Sequence, residues 1–98
     1  MRNLEKYKGV IPAFYACYDE AGNISPEGVQ ALTKYFIEKG VKGVYVNGSS
    51  GECIYQSVED RKIVLENVMK AAEGKLTVIA HVACNNTKDS VELAKHAE

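Results

Sequence analysis

The residues with the most chemistry to offer sit in one short loop, Asn47-Gly48-Ser49-Ser50-Gly51-Glu52. Two glycines bracket two hydroxyls. Glycine lets a backbone come close to a ligand, so the loop amides and the Ser49 and Ser50 hydroxyls can converge on an anion, either a carboxylate or a phosphate. A tight polar turn that holds no ligand has the same pattern. Other anion and nucleophile motifs do not fit. A P-loop needs a lysine after its second glycine, and none follows Gly51; a GxGxxG fingerprint is absent; and Glu52 stands where the last glycine of a nucleophile elbow belongs. Glu52 can act as a general base, or it can bond the backbone amides of its own loop.

Cys17, Cys53 and Cys84 each fall at or just after the end of a candidate strand, and His81 lies three residues before Cys84. The count is odd and the spacing wide, which indicates neither a disulfide framework nor a CxxC metal knuckle. A metal site or reactive thiol is one reading. The other is three small apolar residues at the edge of a core, and the absence of a short ligand pair favours it; no metal is expected. His81 lies in an apolar strand and reads as a hydrogen-bonded core histidine or as a residue lining an interior. Alternation does not fix which way Tyr45 points.

Such loops need strands that end beneath them. Residues Gly9 to Tyr18 are apolar and aromatic and read as a buried strand, with Pro12 the objection because it cannot donate to a ladder. Asp19 to Asn23 is a turn. Ser25-Pro26-Glu27 opens a helix, with serine as cap, proline at the first helical position and an acid at the positive end. Val29, Leu32, Phe36 and Ile37 lie on one face, and Lys39-Gly40 ends the helix. Gly43 to Asn47 is a second strand. Ser57 caps a second helix with Leu65, Val68, Met69 and Ala72 on one face and Val64 at its edge; Gly74 closes it. Leu76 to Val82 is nearly unbroken in apolar character, as buried parallel strands are. A third helix starts at Thr87 and carries Val91, Leu93, Ala94 and Ala97.

The order is strand then helix, three times over, which predicts an α/β fold with a parallel sheet. Ligands in such folds sit beyond the carboxyl ends of the strands, where three loops qualify: Cys17 to Gly22, Asn47 to Ile54 and Cys84 to Thr87. The chain has 98 residues, enough for one small domain. Twelve Lys plus Arg against 13 Asp plus Glu give a net charge of -1. That balance excludes the basic excess of a nucleic-acid or acidic-membrane binder. No run of about 18 apolar residues is present, so no membrane span is expected. The N-terminus lacks the apolar core of a secretion signal, which predicts a cytoplasmic protein.

The stretch Tyr45-Val46-Asn47-Gly48-Ser49-Ser50-Gly51-Glu52 resembles the G-[ST]-[ST]-G-E motif of the N-acetylneuraminate lyase and dihydrodipicolinate synthase family. Gly9-Val10-Ile11-Pro12-Ala13 resembles that family's first strand, and Lys39 to Gly43 the turn into its second. Ile79-Ala80-His81-Val82-Ala83-Cys84 resembles the third strand of the neuraminate-lyase branch. The synthases usually carry Thr-Thr in the motif and a glycine-threonine stretch in place of His81-Val82, so both differences favour the lyase branch. The resemblance runs from Lys8 to Glu98.

The resemblance implies a (β/α)₈ TIM barrel, usually tetrameric, working as a class I aldolase without cofactor or metal. A lysine would form a Schiff base with pyruvate, and the iminium would serve as electron sink while the carbon–carbon bond of N-acetylneuraminate breaks to give N-acetylmannosamine. The alternatives are dihydrodipicolinate synthase or another pyruvate-dependent aldolase of the family and, from another class, a small carboxylate- or phosphate-binding module. By the motif, Ser49 and Ser50 would bind the substrate carboxylate, and the Ser49 hydroxyl could also relay a proton to a tyrosine. Gly48, Gly51 and Glu52 would shape the loop. A Thr-Pro-Phe stretch common at the end of the family's first strand is here Ala16-Cys17-Tyr18. The family's lysine and catalytic tyrosine lie on later strands. A complete barrel needs roughly 200 residues or more, so residues 1–98 read as a partial barrel stopping after about the third βα unit. The segment alone is expected to be inactive.

Overall fold

The computed structural model describes residues 8–48 and 51–98. Ser25 is extended (φ -97°, ψ 104°), and its Oγ accepts the Gly28 amide at 3.0 Å. Pro26 at the first position needs no donor, so helix α1 starts cleanly and runs Pro26–Glu38. Gly40, at φ 75°, turns the chain into strand β1, Gly43–Val46. A short 3₁₀ turn, Cys53–Tyr55, leads to Ser57, whose Oγ accepts the Asp60 amide at 3.0 Å and caps helix α2, Val58–Ala72. Left-handed Glu73 and Gly74 end α2. Strand β2, Thr77–Ala80, follows, and then helix α3, Thr87–Ala97, is capped by the Asn86 side chain on the Asp89 amide.

β1 and β2 pair in parallel, with Gly43 opposite Thr77 and Val46 opposite Ala80. The expected first strand is shorter than its apolar run. Lys42 N–H donates to Val10 O at 2.9 Å, Tyr45 N–H to Pro12 O at 3.0 Å, and Phe14 N–H to Tyr45 O at 2.9 Å. These bonds lay residues 10–14 parallel to the free edge of β1, with one bridge at Ala13 and Tyr45. Pro12 lends its carbonyl but has no N–H, which thins the ladder. After Phe14 the chain leaves the sheet. Tyr18 bridges antiparallel to Ile24 around a turn in which the Asp19 carboxylate accepts the Ala21 and Asn23 amides. The third strand narrows from Leu76–Val82 to Thr77–Ala80 because β1 gives it only four partners, although His81 N–H still donates to Val46 O at 2.9 Å.

Alternation along β1 separates the two faces of the sheet. Val44 and Val46 are fully buried beneath the helices, with Phe14, Val29, Val64 and Val68. Phe14 meets the edge of Phe36 at 6.0 Å. Gln30 of α1 donates to Asn67 of α2 at 2.7 Å, and Lys62 of α2 pairs with Glu92 of α3 at 2.6 Å. The buried stripe of α2 is rotated from the expected one. Val64 lies at its centre, whereas Met69 is 54% exposed. Arg61 belongs to the buried stripe. Tyr45 and Ala13 stand on the opposite, open face of the sheet. Among the described residues no helix is long and apolar enough to cross a membrane.

Candidate functional site

The carbonyl ends of β1 and β2 lie side by side, and the loops that leave them form the candidate site. Ser49 and Ser50 lie outside the described residues, but both flanks of the pair are defined. Asn47 takes a left-handed backbone (φ 65°) and is buried, with its Nδ2 donating to Arg61 O at 2.9 Å. Asparagine tolerates this conformation better than other L-residues. Gly48 follows against the ring of Tyr45; a Cβ there would come within 2.5 Å of Tyr45 Cε1. Its carbonyl accepts the Gly51 amide at 3.0 Å and the Cys53 amide at 3.4 Å. A Cβ on Gly51 would fall 2.7 Å from Phe14 O. Gln56 donates from Nε2 to Gly51 O at 2.7 Å. Close packing against the backbone of residues 10–14 therefore requires a glycine at 51, whereas a side chain at 48 would have to displace the Tyr45 ring. Glu52 is exposed, with φ 63°, and its side chain does not cap the 3₁₀ turn that it precedes.

Sequence reasoning missed Arg61. This side chain is 2% exposed and reaches from α2 across the ends of both strands. Nη1 donates to Ala83 O at 2.8 Å and to Cys84 Sγ at 3.0 Å; Nη2 donates to His81 O at 2.7 Å and meets Asn47 O at 3.5 Å. His81 Nδ1 lies 3.4 Å from Nη2, so in this contact Nδ1 presents its lone pair. The signal was in the sequence as spacing. Arg61 precedes Leu65, Val68 and Ala72 by four, seven and eleven residues, on one helical stripe. Its charge conceals that position, because arginine is almost never fully buried unless paired.

His81 also meets Tyr45 edge-on at 5.9 Å on the open side of the sheet, and it is half-buried rather than a core residue. Cys84 and Cys53 line a cleft of about 320 Å³ beside Arg61, together with Ser57, Ala83 and Asp89. Cys17 lies apart, against Gly28 at the start of α1, and burial pushes its thiol up from the ordinary range. The three cysteines are free thiols, two at one cleft and one elsewhere.

Known proteins resemble this chain in both sequence and fold. The N-acetylneuraminate lyase of Mediterraneibacter gnavus is 92% identical over 98 residues, which is all of this chain and 31% of the lyase. The structure of a catalytic lysine mutant of Ruminococcus gnavus sialic acid aldolase superposes with a TM-score of 0.98 at 92% identity, over 99% of this chain and 32% of that one. A dihydrodipicolinate synthase from Bacillus anthracis, 29% identical, superposes with a TM-score of 0.82 over 91% of this chain and 31% of its own. This chain thus spans about a third of the length of the relatives it matches. The sequence model of one family matches residues 6–98, from before the first paired backbone to the end of α3. With its strand ends, glycine-bracketed loop and helices all inside that match, the chain belongs to the dihydrodipicolinate synthetase family.

Proposed function

We propose that this α/β chain is the first three βα units of a (β/α)₈ barrel and contributes the carboxylate-binding rim of an N-acetylneuraminate lyase. The observation that carries the reading is the Gly48-Ser49-Ser50-Gly51-Glu52 loop. Its flanks are braced at the carbonyl ends of parallel strands, in a chain 92% identical to an N-acetylneuraminate lyase. Ligands in parallel α/β folds bind at that end.

In this reading the Ser49 and Ser50 hydroxyls, with amides of the loop, hold the carboxylate of pyruvate or of N-acetylneuraminate. That fixes the keto carbon in front of a lysine supplied by a later strand. The lysine amine adds to the keto carbon and water leaves, giving an iminium. As the sugar acid's carbon–carbon bond breaks, the electron pair moves into the iminium and an enamine forms. The proton leaves the sugar hydroxyl that becomes the aldehyde, through a tyrosine that Ser49 can serve as relay. Protonation and hydrolysis of the enamine release pyruvate beside N-acetylmannosamine. Gly48, Gly51 and Glu52 shape the loop, and neither metal nor cofactor takes part. The assembly is a cytoplasmic homotetramer.

The test is reductive trapping. The full-length enzyme that carries this segment, mixed with pyruvate and borohydride, is expected to gain a stable adduct on one lysine outside residues 1–98. The 98-residue segment alone is expected to release no N-acetylmannosamine. Changing Ser49 or Ser50 to Ala in the full-length enzyme should weaken pyruvate binding by about 1.5–3 kcal/mol for each hydroxyl, the usual contribution of a hydrogen bond to a charged group. An untrapped full-length enzyme would exclude the Schiff-base mechanism, and unchanged pyruvate affinity in both serine variants would remove the carboxylate role.

A further inference from the structure

We infer that Arg61 is a positioning residue for the carboxylate-binding rim, acting by locking the carbonyl ends of β1 and β2 into one rigid unit; the inference rests on the function proposed above. The geometry is specific to a guanidinium. One planar fork reaches the ends of two strands: Nη2 serves Asn47 O on the β1 side and His81 O on the β2 side, while Nη1 serves Ala83 O and Cys84 Sγ. The backbone of the same residue closes the loop in the other direction, because Arg61 O accepts from Asn47 Nδ2 at 2.9 Å. Asn47 is therefore held from both its carbonyl and its side chain, and it is the left-handed residue from which the Gly48–Glu52 loop departs. A lysine ammonium is a point donor and cannot span these acceptors together.

The burial is also out of proportion to a purely structural task. Arg61 is 2% exposed, and its neighbours on the same stripe are Val64, Leu65 and Val68. Among the described residues it forms no ion pair with a carboxylate; its charge is met by carbonyl dipoles, a thiol sulfur and the His81 ring, and its Nε has no partner. A buried cation solvated in this way is costly to the fold. An apolar side chain would fill the stripe at less cost, but it would leave the carbonyls of Asn47, His81 and Ala83 without this donor. The arrangement makes sense where the relative position of the two strand ends matters more than the stability of the helix contact. Small displacements at a reacting centre are enough to change rates and binding strongly.

The experiment is a double-mutant cycle in the full-length enzyme, read as the pyruvate concentration that gives half-maximal borohydride trapping. Arg61→Lys, Ser50→Ala and the double variant are compared with the unmodified enzyme, with folded content followed by circular dichroism. Arg61→Lys is expected to raise half-saturation by about tenfold or more, the scale on which residues supporting a site act. The double variant is expected to be no worse than about the poorer single variant, because both changes disable one site. A merely structural role lowers the melting temperature but leaves half-saturation unchanged, or adds its loss independently to that of Ser50→Ala; either result overturns the inference. Should Arg61→Lys not fold, Arg61→Met fills the same stripe without the fork that joins the two strand ends, and unchanged half-saturation there overturns the inference equally. If the unmodified enzyme is not trapped at all, the proposed function itself fails and takes the role of Arg61 with it. Trapping of the unmodified enzyme, with half-saturation raised in Ser50→Ala but normal in Arg61→Lys, fails Arg61 alone.

Discussion

At the scale of single residues, the site is shaped by close packing as much as by polar groups. Gly51 shows this most directly. A methyl group there would lie 2.7 Å from the carbonyl oxygen of Phe14, a backbone atom that cannot swing aside as a side-chain tip would. Gly51→Ala should therefore push the loop away from residues 10–14, with a cost of about 1–3 kcal/mol typical of overpacking. Thermal unfolding of the full-length protein measures the cost, and an unchanged midpoint would show that the loop is not seated on Phe14. The bracketing glycines were legible in the sequence as loop residues able to approach a ligand. Their actual neighbours, a tyrosine ring and a carbonyl from distant chain segments, were not, because local pattern carries no information about which backbone comes near. Arg61 was illegible for a different reason. Residue type alone sends an arginine to solvent, and only the three-dimensional meeting of two strand ends supplies enough carbonyls to bury one.

At the scale of elements, signals confined to a few neighbouring residues were the readable ones. Ser25-Pro26 and Ser57 placed the starts of α1 and α2 because a cap is satisfied within its own first turn. Strands depend on partners that are far away in sequence. The apolar run from Gly9 to Tyr18 became a short paired stretch and an antiparallel turn, and Leu76 to Val82 kept only the residues that β1 could pair. The phase of α2 was misjudged by the same logic. Its buried stripe is set by what α1 and β1 present to it, and Met69 falls outside. The α2 cap offers a test at this scale. Ser57 Oγ accepts the Asp60 amide at 3.0 Å, and Arg61, which closes its own bond to Ser57 O at 3.1 Å, sits in the turn that this cap fixes. Ser57→Ala should cost about 1 kcal/mol of stability, as loss of an N-cap serine usually does. On the proposed function it should also raise pyruvate half-saturation slightly through the displaced Arg61. Ser57→Asp, which can cap the same amide, should restore both. A variant that loses stability with no recovery in Ser57→Asp would place the effect elsewhere.

At the scale of the whole molecule, the sheet has one face beneath the helices and one face open. Among the described residues, Tyr15 is 64% exposed, and Tyr45 and Ala13 share the open face with the half-buried Ile79. The free edge of β2 is also unpaired among these residues, because the sheet runs from residues 10–14 through β1 to β2 and stops. Unpaired strand edges and exposed aromatic area both promote association. The helical side alone is a thin core for a chain of 98 residues, since small domains bury a smaller fraction of their surface than large ones. Relatives in which this segment is 31% of the length have further chain with which to cover the open face and pair the edge. Expressed alone, residues 1–98 should therefore sediment above the monomer mass or bind a hydrophobic dye at low concentration. In the full-length protein, with the open face covered, the same segment should bind no dye. A 98-residue monomer with cooperative unfolding and no dye binding would show instead that the helical core suffices, and that the open face needs no cover.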